Sequence, residues 1–449
     1  MKHRFKLFLI IALCLIQLGV YIRYGFSGQE AIIFVFNLLL TILYVSRLRG
    51  VKQDMFSLFY LISIVCSLHV VAFFQIYDPE KFTYYENDFR HLASFANEVL
   101  FVALLSCITW GAVVPYKKYN PQTLVITRHY SQRLVRTVFI LAILASLTCA
   151  ALGLDRMGAE VKTVLPFHLN GILNTFRNAI MPFLISLYVY DKTAANGKGL
   201  SNTEWIAIFV FGVFEVFARL SKSTLAMIFI PAFVVLLFLK RINKSFVIKV
   251  LIPAIALFLA LYPIIGLMRY YDDVNSNTLK SASSEVSNSE ESRLTAIYSR
   301  VFEAGEHYIR SYQLLEKDYL FDFSRAPLII IEGGSAAFFT HVVDGFADDA
   351  KHSSGTTGIT DPYLFGGKGF CFIVLCLLSL FGRIVDRHNN TKQILYIVWA
   401  FLLYYKYVLF VNVSSFIGPT AISFIVTEFL ELLFIYYYYK RRTILVPEK

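Results

Sequence analysis

Leu267-Met268-Arg269-Tyr270-Tyr271-Asp272-Asp273 marks the change on which the fold turns. Before it the chain is a succession of apolar segments; after it comes the one long polar stretch, residues 269–361. That stretch crosses a Ser/Asn/Glu-rich patch at 275–292 and a mixed, helix-compatible part at 294–318. It closes with His352-Ser353-Ser354-Gly355-Thr356-Thr357-Gly358, leading to Gly366-Gly367-Lys368-Gly369. Side chains able to do chemistry gather there: His307, His341, His352, Arg269, Arg300 and Arg310, with many carboxylates.

The rest of the chain reads as scaffold. Of 449 residues 57% are hydrophobic and only 16% charged, with a mean hydropathy of +0.59. A soluble exterior has no use for that much apolar surface. The apolar runs match the ~30 Å hydrocarbon core of a bilayer, and they are unbroken rather than alternating. The expectation is an all-α, polytopic integral membrane protein. A net charge of +11 would suggest nucleic acid in a soluble chain. Here the basic residues sit in short connections, where topology and anionic headgroups account for them without nucleic acid.

About twelve transmembrane helices are expected, at residues 5–22, 31–45, 55–77, 93–114, 137–154, 169–190, 205–218, 224–239, 246–268, 363–381, 394–413 and 421–439. The organisation is thus nine spans in 1–268, a large external loop with short helices at 269–361, and three spans with a tail in 362–449. Alternate connections hold more than half of the 42 lysines and arginines, which puts them and both termini in the cytoplasm and the loop outside. The first run resembles a signal peptide but lacks a clear small-x-small cleavage site, so it reads as an uncleaved span. All six cysteines fall in spans, which removes a disulfide-stapled loop and leaves them as small packing residues.

Charges within or beside spans narrow the function, because each is expensive in lipid and by default faces a polar cavity. Arg177 lies in Leu173-Asn174-Thr175-Phe176-Arg177-Asn178, near the outer end of its span. The turn Glu215-Val216-Phe217-Ala218-Arg219-Leu220-Ser221-Lys222-Ser223-Thr224 places Glu215 and Arg219 one helical turn apart and Lys222 at a hydroxyl-rich helix start. Arg269 ends the next span on the same side. Arg300, Glu303 and His307 share a helical face by spacing. The plain alternative is a snorkelling or interhelical arginine for Arg177 and an N-cap with a snorkelling lysine for Lys222. Convergence of Arg177, Arg219 or Lys222, Arg269 and Arg300 would call for an anion, and diphosphate suits arginine's fork. Lys406, Glu428 and Glu431 read as structural. His352 suits proton transfer near neutral pH. His307, His341 and His352 lack the close spacing of a metal site.

These stretches resemble the O-antigen polymerase (Wzy-type) superfamily, including the enterobacterial common antigen polymerases and, more distantly, the O-antigen ligases. Phe176-Arg177-Asn178-Ala179-Ile180-Met181-Pro182 is similar to its arginine-then-proline span, and Arg219-Leu220-Ser221-Lys222-Ser223-Thr224 to its Gly-Ser/Thr-Arg turn. Met268-Arg269-Tyr270, Tyr298-Ser299-Arg300 and His352-Ser353-Ser354-Gly355 resemble its loop entry, loop arginine helix and late histidine element. Lys222 departs from the usual arginine, so either it or Arg219 serves. The resemblance implies metal-independent, cofactor-free polymerisation of undecaprenyl-diphosphate-linked oligosaccharide repeat units at the outer face of a bacterial inner membrane. It assigns diphosphate binding to Arg177, Arg219, Lys222 and Arg269, and catalysis to Arg300 and His352 or a loop carboxylate as base. A chain-length regulator and a flippase are the implied partners. Ligation, or transport of the lipid-linked oligosaccharide, stays open.

Overall fold

The structure is a computed structural model that describes residues 3–49, 54–60, 89–114, 132–154, 176–196, 199–220, 223–239, 241–261 except 243 and 258, 320–331, 360–388, 394–404 and 420–440, with isolated positions between. Among these the regular structure is helical and no strand occurs. The helices are α1 (His3–Tyr24), α2 (Gly28–Arg47), α3 (Met55–Tyr60), α4 (Phe89–Val113), α5 (Gln132–Ala151), α6 (Met181–Asn196), α7 (Asn202–Arg219), α8 (Ser223–Phe238), α9 (Ala326–Ile331), α10 (Thr360–His388), α11 (Ile394–Tyr404) and α12 (Thr420–Lys440).

Among the described residues four helical stretches are long and apolar enough to cross a membrane: Arg4–Tyr24, Gly28–Arg47, Ala93–Val113 and Asp361–Arg387. Shorter apolar helices occupy Ile140–Ala151, Met181–Tyr190, Ile228–Phe238 and Val247–Leu261. The expected span at 55–77 is described as a helix only over Met55–Tyr60, and that at 394–413 only over Ile394–Tyr404. α1 shows why these are membrane elements. Its leucines and isoleucines point in every direction, and Phe8 and Ile22 stand 68% and 72% exposed. A helix apolar all round needs a partner or lipid on each face.

Polar side chains fix how the first helices pack. Gln17 donates from Nε2 to Thr41 Oγ1 at 3.0 Å, joining α1 to α2, and Lys6 Nζ donates to the Ser46 carbonyl, so the pair is antiparallel. Asn37 donates to Asn97 Oδ1 at 2.6 Å, joining α2 to α4. Such hydrogen bonds set register where lipid gives helices no hydrophobic reason to associate. α10 lies alongside α4 in the same direction: Phe95 meets Tyr363 at 4.8 Å between ring centres, and Trp110 Nε1 donates to the Cys376 carbonyl. α2, α4 and α10 therefore finish at one end of the bundle. Arg383 sits there inside a helix, because α10 continues to His388, past the expected span boundary at 381.

The glycine run is also helical. α10 breaks at Gly367, where φ is 80°, a backbone that glycine adopts without steric penalty. The segment ahead of α9 rests on that break: Gly369 N–H donates to the Leu320 carbonyl at 2.6 Å, and Asp322 N–H to the Gly366 carbonyl at 3.2 Å. α9 then packs Ile329 against Leu364 and Phe365. This part of the 269–361 stretch is docked on a transmembrane helix and includes one short helix, α9.

Candidate functional site: a carboxylate between two arginines

α7 carries two of the site's three side chains, and both of its ends are specified locally. Ser201 and Glu204 form a capping box at its start, satisfying two backbone donors reciprocally. It stops at Leu220, whose φ of 52° makes it the one non-glycine residue with positive φ among the described residues. That conformation costs roughly 1–2 kcal/mol for an L-residue. Leu220 is fully buried with Val216, Leu225, Leu261 and Ile265, and burying a leucine contributes about 1.5–3 kcal/mol. Burial wins, and the helix ends where Arg219 turns inward.

The third side chain comes from a distorted helix start. Phe176–Ile180 forms a π-helical turn before α6. Pro182, which has no N–H to donate, follows directly in the first turn of α6. From the wider turn Arg177 reaches α7. Its Nη2 donates to Glu215 Oε2 at 3.2 Å, and Arg219 Nε donates to the same oxygen at 2.9 Å. Arg177 Nη1 also lies 3.4 Å from the Leu154 carbonyl at the end of α5. The side chains of Arg177, Glu215 and Arg219 are 0%, 3% and 6% exposed.

One carboxylate thus serves two guanidinium groups, and the three carry a net charge of +1. A buried pair needs good geometry to repay desolvation. Here Arg177 Nε and Glu215 Oε1 remain buried with no hydrogen-bond partner among the described residues. The arrangement is a buried cluster of net positive charge in which one guanidinium N–H and one carboxylate oxygen keep unused hydrogen-bonding capacity.

Arg177 and Arg219, two of the six side chains singled out in the sequence, are brought together through Glu215. Lys222, Arg269, Arg300 and His352 lie outside the described residues, as do His307, His341, Arg310 and Lys406. Sequence spacing predicted the Glu215–Arg219 pair. It set Arg177 beside Arg219 among the converging cations but did not name Glu215 as its partner, although Arg177 and Glu215 are each the single charge of their expected spans, a signal that each needs the other.

Other ionised groups are used structurally. Glu428 accepts from Trp399 Nε1 at 2.7 Å, tying α12 to α11, and Glu431 is fully buried. Lys368, beside the Gly367 break, pairs with Glu98 and stands over the Phe95 ring. Glu204 accepts from Tyr188 at 2.6 Å and pairs with Lys192 at 3.0 Å, joining the far ends of α6 and α7. Burial pushes the Glu204 carboxyl up, but the bonds from Tyr188, Ser201 and Lys192 prevail and hold it at about 2. The five described cysteines, Cys14, Cys107, Cys149, Cys371 and Cys376, all lie on helices.

No family model, no curated protein and no solved structure matches this chain.

Proposed function

We propose that this chain is a membrane glycosyltransferase that polymerises undecaprenyl-diphosphate-linked oligosaccharide repeat units into O-antigen or a related surface polysaccharide. The observation that supports it most is the buried Arg177–Glu215–Arg219 cluster with its net positive charge. In this reading all twelve spans form, both termini are cytoplasmic, and the cluster faces the outer side of a bacterial inner membrane together with the 269–361 stretch. An acceptor hydroxyl attacks the anomeric carbon of the donor sugar. The carbon–oxygen bond to diphosphate breaks, and undecaprenyl diphosphate leaves with the electron pair. Arg177, Arg219, Lys222 and Arg269 grip the diphosphate, so the charge that develops on departure meets cations already in place. His352, aided by Arg300, or a loop carboxylate, takes the hydroxyl proton. The spans hold the polyprenyl tail and with it the reacting geometry.

The test is glycan laddering in a host lacking the gene, complemented at matched expression with wild type, Arg177→Gln, Arg300→Ala and His352→Ala. Restored ladders with wild type and single repeat units with the variants are expected. Full ladders from every variant would remove the site assignment. A ligase uses the same donor, and is recognised by a deletion that leaves polymer made but not transferred.

A second reading, transport of the lipid-linked oligosaccharide, draws on the helix interruptions at Phe176–Ile180, Val247–Leu251 and Gly367. Discontinuous helices are how many transporters build binding sites. Purified protein that releases undecaprenyl diphosphate from its donor distinguishes the enzyme; a transporter moves the donor intact.

A further inference from the structure

A second cationic site lies where α2, α4 and α10 finish. A cavity of about 430 Å³ opens there, and among the described residues its lining includes Arg47, Arg49 and Arg383 but no carboxylate. Arg383 is anchored: Nε donates to the Val114 carbonyl at 2.9 Å and Nη2 to the Gly111 carbonyl at 3.2 Å, so it caps the end of α4. Arg49 pairs with the buried Asp54. Asp386, also buried, spends its oxygens on the Phe56 and Ser57 N–H groups and the Ser57 hydroxyl. Arg47 is exposed and makes no ion pair among the described residues. Three guanidiniums against two nearby carboxylates leave an excess positive charge at a cavity mouth.

The other wall is apolar. Leu48, Ile108 and Ala112 line it. Leu39, Leu43 and Arg47 follow one face of α2 at four-residue spacing, and both leucines are exposed. On α4, Leu105 is exposed on the face of Ile108 and Ala112. Each cavity wall therefore runs on into an apolar stripe directed along the helices. The volume lies within the ~300–1,000 Å³ of small-molecule sites. Cations above paired apolar stripes match an amphiphile with a phosphate head.

We propose that this cavity binds the phosphate headgroup of an anionic phospholipid, with its acyl chains along the Leu39/Leu43 and Leu105 stripes. Basic pockets between transmembrane helices recognise such headgroups. The excess of lysine and arginine in the connections at this end assigns it to the cytoplasmic leaflet. The site shares no residue with the Arg177–Glu215–Arg219 cluster, so it stands whether or not the glycosyltransferase reading does.

Retention of phosphatidylglycerol against phosphatidylcholine by the full chain, measured by native mass spectrometry from mixed micelles, tests this. Wild type is expected to retain phosphatidylglycerol preferentially, and Arg47→Gln to lower that preference about fivefold, as one basic side chain contributes near anionic lipid. Gly111→Leu provides the steric arm. Gly111 lines the cavity, and a Cβ there meets nothing within 4 Å among the described residues, so this wall has room for a side chain to start. The variant is expected to abolish the preference while leaving the melting temperature at or above that of wild type. Equal retention of both lipids by wild type overturns the proposal, as does unchanged preference in both variants. Loss in Arg47→Gln alone would mean diffuse surface attraction instead of a cavity. Displacement of phosphatidylglycerol by inorganic phosphate would make this a small-anion site, and the lipid assignment would fall.

Discussion

Replacing Glu215 with glutamine separates the energetics of the cluster from its shape. The side chain keeps its size and one oxygen, but the charge that two buried guanidiniums share is gone. Arg177 Nη2 at 3.2 Å and Arg219 Nε at 2.9 Å both depend on that oxygen. Removing one partner of a buried pair destabilises by about 3–5 kcal/mol, because the remaining charge stays uncompensated. Here two charges are left, so Glu215→Gln belongs at or above the top of that range. Arg177→Gln is milder. Glu215 still has Arg219, the net charge falls to zero, and the loss is that of a charge-assisted hydrogen bond, about 1.5–3 kcal/mol. Stability would be read by unfolding of the purified chain in mixed micelles, with the helical signal followed against denaturant. The expected order is wild type, then Arg177→Gln, then Glu215→Gln. Inorganic pyrophosphate should restore part of the loss in Glu215→Gln, since an anion that binds only the folded state stabilises it by mass action. A Glu215→Gln variant as stable as wild type would refute the claim that the carboxylate holds the arginines. An Arg177→Gln variant less stable than Glu215→Gln would refute the charge count behind it.

Three further outcomes follow from the contacts. The Glu204 carboxyl is held at about 2, below its ordinary 4.5, so the stability it contributes is present above 4.5 and is lost as pH falls toward 2; acid titration of melting temperature should show that loss, and Glu204→Gln should flatten it. Gly369→Ala would set a Cβ 2.7 Å from the Leu320 carbonyl, and an overpacked contact of this kind costs about 1–3 kcal/mol; faster proteolysis within 320–331 would report the release. Asp386→Ala strands the Phe56 and Ser57 N–H groups, each buried donor costing about 1–3 kcal/mol; hydrogen exchange at the start of α3 should rise while that of α1 does not.

Much of the architecture was legible in the order of residues. Runs such as the apolar α1 can satisfy their backbone groups within themselves and their side chains in lipid, so composition and length alone specify a spanning helix. The Glu215–Arg219 pair was legible for the same reason, since one helical turn is a local distance. What the order of residues did not convey is every relation between helices. Arg177 reaches Glu215 from the π-turn at 176–180, and the buried Leu220 ends α7 just after Arg219. Arg383 reads as a basic residue just beyond its span, and the structure adds that α10 runs on to His388 and that Arg383 caps α4. The glycines at 366–369 fall inside the expected span at 363–381, and only the packed structure shows that they form the notch in which the Leu320–Phe323 segment rests. Local propensity and hydropathy act over a few residues, so sequence by itself determined the helices and their apolar character. Which buried charges meet depends on residues 38 positions apart for Arg177 and Glu215, and 269 apart for Arg383 and the Val114 carbonyl. Only the packed tertiary structure decides those meetings, because the desolvation cost of each charge is offset only once its partner from another helix is in place.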